Sequence, residues 1–181
     1  MPSAITKRRK RQQGFSLLEM MFATIILLVG LVAIAQLVPA TILLNYRNRM
    51  DSSALVLAQR QLDQFLDQPL TTTSFTDVPG TPCALGCSLG DPTQPNQVLP
   101  DPSVVIMVNN QPVINFNAAK FPGYHFDSPP DGNGVAYDIR WAVVITGDGS
   151  TASAKRFILG ARQSAGTGYF QPITLDSVVQ K

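Results

Sequence analysis

Apolar and polar positions divide the chain into stretches of different character. Residues 17–35, "LLEMMFATIILLVGLVAIA", contain a single strongly polar residue, Glu19. As a helix this stretch would span about 28 Å, close to the roughly 30 Å core of a bilayer. Apolar character resumes after Gln36 and continues to Leu44. The pattern then changes. Leu55, Ala58, Leu62 and Phe65 recur at spacings of 3, 4 and 3, which is one face of a helix. Arg47, Arg49, Arg60, Asp63 and Asp67 suit a wetter face. Pro69 ends the pattern, because a proline disfavours helix at the residue before it. One helix over 15–68 is therefore expected, apolar all round over about 15–44 and amphipathic behind, with its rear against a sheet. Gly30, at about 1 kcal/mol of helix propensity relative to alanine, and Pro39, which removes a backbone bond, are expected to kink it or open a turn.

Residues 69–102 have no sustained periodicity and are dense in turn formers, so a long variable loop is expected there. Strand patterns begin at 103. "SVVIMV" and "PVINF" flank "NNQ", a hairpin signal. In "VAYDIRWAVVIT" the residues Val135, Tyr137, Ile139, Trp141, Val143 and Ile145 alternate with Ala136, Asp138, Arg140, Ala142, Val144 and Thr146. Period two over this length means a strand with one buried face. "GDGS" turns the chain, and "AKRFILGAR" returns with Phe157, Leu159 and Ala161 on its apolar side. Residues 103–181 thus read as an antiparallel sheet that the helix covers, and the class is α+β.

Charge changes this picture at one end. The net charge of +2 hides five basic residues within Lys7–Arg11, and from Phe15 onward 12 acidic residues face 9 basic ones. Basic residues ahead of an apolar span keep that end in the cytoplasm and send the remainder across. The body has no basic surplus, so no nucleic acid is expected as a partner. There is no nucleotide-binding loop, nucleophile elbow or metalloprotease motif. With one histidine, His125, a histidine-based catalytic or metal centre is not expected, and neither is a cofactor. The carboxylates around "DSPPDGNGVAYD" lack the spacing of a calcium loop. Cys83 and Cys87 fit a disulfide in an exported compartment.

Three readings compete for residues 7–44. A secretory signal would be cut after "AIA", Ala33–Ala35, yet the apolar run does not stop there. A plain anchor explains the charges but gains nothing from Glu19, whose burial at mid-span would cost about 2.5–3.5 kcal/mol. The third reading explains the acid. "QQGFSLLE" resembles the prepilin cleavage and methylation motif of type IV filament proteins. The resemblance implies a basic leader, 1–14, cut by a prepilin peptidase between Gly14 and Phe15, with Phe15 then N-methylated. It also implies that Glu19 acts in filament assembly: a carboxylate one turn in can meet the new amine of a neighbouring subunit, so that each offsets the burial of the other.

The span and "ALVLAQRQLDQFL" are similar to PilV-like minor pilins and the I-class pseudopilins of type II secretion, over residues 12–68. That similarity implies a structural subunit rather than an enzyme, and a pilin-like fold. Its expected place is the bacterial inner membrane, single-pass, with the C-terminal domain in the periplasm. The implied partners are the prepilin peptidase, other pilin or pseudopilin subunits, the inner-membrane assembly platform and the lipid bilayer. A minor pilin of a type IV pilus, a secretion pseudopilin and a membrane-anchored adhesive module remain the alternatives. The mature protein is predicted to begin at a methylated Phe15, read by mass spectrometry of its N-terminal peptide. A start at Gln36 would mean an ordinary signal peptide, and a retained Met1 or Pro2 an uncut anchor.

Overall fold

The computed structural model describes residues 15–79, 81–130, 134–148, 151–165 and 172–180. The chain divides into two compact units, Met1–Tyr46 and Arg47–Lys181. A 50-residue helix, α1 (Leu17–Leu66), contributes to both. In the first unit every residue from Phe15 to Asn45 is exposed. Its mean hydropathy reaches 2.6, and by length and composition it can cross a membrane. Helical structure continues through Gly30 and Pro39, so neither ends the helix. The hydroxyls of Thr24 and Thr41 donate to the carbonyls of Met21 and Val38, each at 2.8 Å. These bonds inside the helix leave its surface with few unmet polar atoms.

The second unit is built on a five-stranded antiparallel sheet. Its path runs β3 (Gln97–Leu99), β7 (Ala136–Asp148), β8 (Thr151–Ala165) and β9 (Ile173–Gln180), and β6 (His125–Asp127) also pairs with β7. Two further strand pairs lie off the sheet: β1 (Ser74–Phe75) with β2 (Cys87–Ser88), and β4 (Val105–Val108) with β5 (Gln111–Ile114). The β4–β5 turn is Asn109–Asn110, both at positive φ (50° and 64°). That is the geometry a two-residue hairpin favours, and asparagine tolerates it. The β7–β8 turn at Gly149–Ser150 lies outside the described residues.

The rear of α1 covers one face of the sheet. Met50, Ala54, Ala58, Gln61, Leu62 and Phe65 are buried. The buried stripe follows Ala54 rather than Leu55, which is only half-buried at its margin. Phe65 is fully buried, with ring centroids 5.1 Å from Trp141, 5.5 Å from Phe157 and 6.0 Å from Phe75. Arg47, Arg49, Arg60, Asp63 and Asp67 are exposed, as the periodicity implied.

Two expectations need correction. β7 does not keep a wet face: Ala136, Asp138, Arg140 and Ala142 are buried as well as Tyr137, Ile139, Trp141, Val143 and Ile145. The cause is a second layer. Val104, Ile114 and Phe116, from the β4–β5 hairpin and its flanks, pack on Ala142 and Ile158. Gly160 makes room for them, since a Cβ there would lie 2.7 Å from Ile114 Cβ. Nor is 69–102 wholly loop, because it supplies β1, β2 and β3, and β3 joins the main sheet. The predicted consequence concerns the helix. A fragment starting at Asn45 should be more stable to urea than one starting at Thr71, which lacks Phe65. Losing a buried phenylalanine side chain alone costs about 3–5 kcal/mol. Equal midpoints would mean that the rear of α1 does not pack on the sheet.

Candidate processing and assembly site

The structure describes the chain from Phe15, and Gly14 lies outside the described residues. Phe15 and Ser16 precede the helix, and the amide of Met20 donates to the carbonyl of Ser16 at 3.2 Å. Glu19 stands in the first turn of α1. Amides there lack partners within the helix, and the positive end of the helix dipole favours a carboxylate by about 0.3–1 kcal/mol. Phe15 is 80% exposed and Leu17 81%. Among the described residues nothing covers this end of the helix, so Phe15, Glu19 and the apolar surface behind them are exposed together. Lipid or neighbouring apolar helices can cover such a surface, and a cationic amine suits the acid on it.

Cys83 and Cys87 are joined by a disulfide with their Cα atoms 5.0 Å apart, and both are buried. The Gln61 side-chain amide donates to Cys83 Sγ at 3.1 Å, which ties the bridge to the rear of α1. The cysteine ring is tied at its backbone as well, where the Asp77 and Gly86 amides both donate to the Cys83 carbonyl at 3.0 Å. The bridge closes too short a ring to restrict the unfolded chain much. Its effect is to fix the loop Ala84–Gly86, which carries Leu85 fully into solvent.

Other charged residues serve the fold. Lys155 is buried, and its ammonium donates to the carbonyls of Thr72 at 2.6 Å and Gly90 at 3.1 Å. It pins both ends of the β1–β2 segment to the sheet. It is in phase with the buried Phe157, Leu159 and Ala161. Arg156 pairs with Asp176. Asp138 is buried and receives Arg140 Nη2 at 2.8 Å and Arg162 Nη2 at 3.3 Å. Both guanidinium groups lie over the Phe116 ring, at 5.2 Å and 4.7 Å. Asp127 pairs with Lys120. Asp131 and Asn133 lie outside the described residues. Among the described residues no cluster of three metal-ligating side chains occurs. His125 sits in β6, with Nδ1 2.8 Å from the Phe121 carbonyl oxygen.

Residues 9–35 match the prokaryotic N-terminal methylation motif. The match spans the Gly14–Phe15 bond, Glu19 and the start of the apolar helix. No curated protein and no solved structure matches the chain. The motif and the long apolar N-terminal helix together support a type IV pilin-like protein. The fold agrees: a long N-terminal helix with antiparallel sheets, α+β and pilin-like in architecture. A pilin-type motif points to a structural subunit, to processing by a prepilin peptidase and to assembly with other pilins. The apolar helix points to membrane anchoring.

Burial of Lys155 lowers its pKa, with Asp91 opposing the shift. At alkaline pH below the ordinary 10.5, the folded chain therefore binds fewer protons at this site than the unfolded chain. Stability from this group then rises as pH climbs towards 10.5. The neutral amine keeps two donors for its two carbonyls. Unfolding free energy against pH should accordingly rise more steeply in the wild type than in Lys155→Met across the alkaline range. Parallel curves would mean that Lys155 is not charged and buried together.

Proposed function

We propose that the chain is a minor pilin, a structural subunit that takes part in type IV pilus assembly rather than an enzyme. The observation that carries this reading is the methylation motif on an apolar helix with no protein cover. In this account the leader 1–14 remains in the cytoplasm and the prepilin peptidase cuts between Gly14 and Phe15. The Phe15 amine is methylated, and residues 15–44 wait in the bacterial inner membrane. The sheet domain lies in the periplasm, where the Cys83–Cys87 bridge is oxidised. The assembly platform then moves the helix from lipid into a bundle of other pilin helices. The same motif would serve a type II secretion pseudopilin, and cells lacking the chain separate the two: loss of piliation favours the pilin, loss of protein export the pseudopilin.

Glu19 makes this transfer selective. A carboxylate is costly against hydrocarbon and is offset only by an opposite charge. The Phe15 amine of a neighbouring subunit supplies that charge, and the pairing fixes the axial stagger between helices. Glu19→Gln keeps shape and polarity but not charge. It should be inserted, cut and retained in the membrane like the wild type, while its share in sheared filaments falls; Glu19→Val should fall at least as far. Immunoblots of sheared and membrane fractions measure this. Equal ratios in all three would remove the pairing from the account.

A further inference from the structure

The periplasmic unit carries a knob and a hole on different faces of its sheet. The knob is Leu85, held at the tip of the Cys83–Cys87 ring and fully exposed. Val78, close by in the same loop, is 63% exposed. Asp77 stands at its base, where backbone and side-chain hydrogen bonds from Val78 and Gln64 hold its carboxylate charged by lowering its pKa. This loop packs on the α1 side of the sheet, through Gln61 and through the Trp141 indole, which donates to the Ser88 carbonyl at 3.0 Å. The hole lies on the opposite, hairpin side. It is a groove of about 460 Å³ with walls from Ile106, Val108, Val113 and Phe116 and with Arg162 and Thr174 beside them. The walls are of mixed character, with Asn115 and Asn117 beside the apolar residues, and the charged side chain at the groove is Arg162, which also reaches Asp138 at 3.3 Å.

We propose that the Leu85 knob of one copy seats in the hairpin-side groove of a second copy of this chain, with Asp77 facing Arg162 across the contact. The proposal rests on the filament-subunit reading and says which surfaces of the periplasmic domain meet. Knob and groove match in character: a branched aliphatic side chain for the Ile106, Val108, Val113 and Phe116 part of the groove, an anion for a cation. The groove exceeds the volume of one leucine, so Val78 enters beside it. The two surfaces lie on opposite faces of one sheet, so one chain cannot satisfy both by itself. A reciprocal two-fold pair would need them on the same side. A head-to-tail contact remains, and such a contact leaves a free knob on one copy and a free groove on the other. The disulfide acquires a role consistent with its small ring: it holds Leu85 outward in advance, which lowers the ordering cost of binding.

The test uses the full chain in cell membranes, with a benzoylphenylalanine photo-crosslinker in place of Leu85. Illumination should give an adduct of two copies, its attachment mapped by mass spectrometry to the 106–117 segment or Arg162 of the second copy. Val108→Arg fills the groove at an exposed position and should lower the yield by about fivefold or more, the scale of a central interface contact. The double variant Cys83→Ser, Cys87→Ser should also lower it. Attachment to another polypeptide, attachment elsewhere on the second copy, or no adduct at all would overturn the proposal. The same samples report the mature N-terminus. A start at Phe15 without the adduct defeats this contact alone, whereas a start elsewhere defeats the filament-subunit reading whether or not the adduct forms.

Discussion

One run of helical residues has to satisfy two surroundings, and this constraint organises the protein. Up to Asn45 every side chain of the helix is exposed, and the surface is apolar on all sides. Such a surface is stable only against lipid or against other apolar helices, because about 25 cal/mol per Å² is lost wherever it meets water. From Met50 onward the helix buries one stripe, ending in Phe65 among Trp141, Phe157 and Phe75. The second stretch holds a folded domain together. The first has no cover among the described residues and is left for lipid or other apolar helices.

Polar groups follow the same division. In the apolar stretch Thr24 and Thr41 turn their hydroxyls back on the helix, and Glu19 is the single charged side chain, set in the first turn. In the folded unit each buried charge has partners. Lys155 donates to two carbonyls, and Asp138 sits between Arg140 and Arg162 above Phe116. A buried charge with fixed partners specifies one arrangement of loop and sheet, because removing either partner leaves the other unpaired. Glu19, exposed near the helix start, differs in kind from these buried and paired charges.

Much of this was legible in the sequence, and the exceptions have physical causes. In the α1 stripe Ala58, Leu62 and Phe65 are buried as read, and only Leu55 was one residue off, since it looks more apolar than Ala54 but lies at the edge of the contact. The alternation in β7 located its α1-side face. Burial of the other face was hidden, because Asp138 and Arg140 read as wet until Arg162 and the Phe116 layer are placed beside them. β1, β2 and β3 are two or three residues long, too short for any period to register, and they exist through pairing with distant segments. Lys155 was in phase with the core, and its charge obscured that. For the processing site, "GFSLLE" is local chemistry and needed no tertiary information, whereas the setting of Leu85 depends on how Cys83 and Cys87 are tied to Gln61.

The central claim is that a cut before Phe15 releases the helix from the membrane into a filament. Fractionation of cells with and without the prepilin peptidase tests it most directly. The account predicts that without the peptidase the chain keeps its leader and is found only in the membrane fraction, whereas with it a shortened chain appears in filaments sheared from the cell surface. An identical mass and an identical distribution in both strains would contradict it.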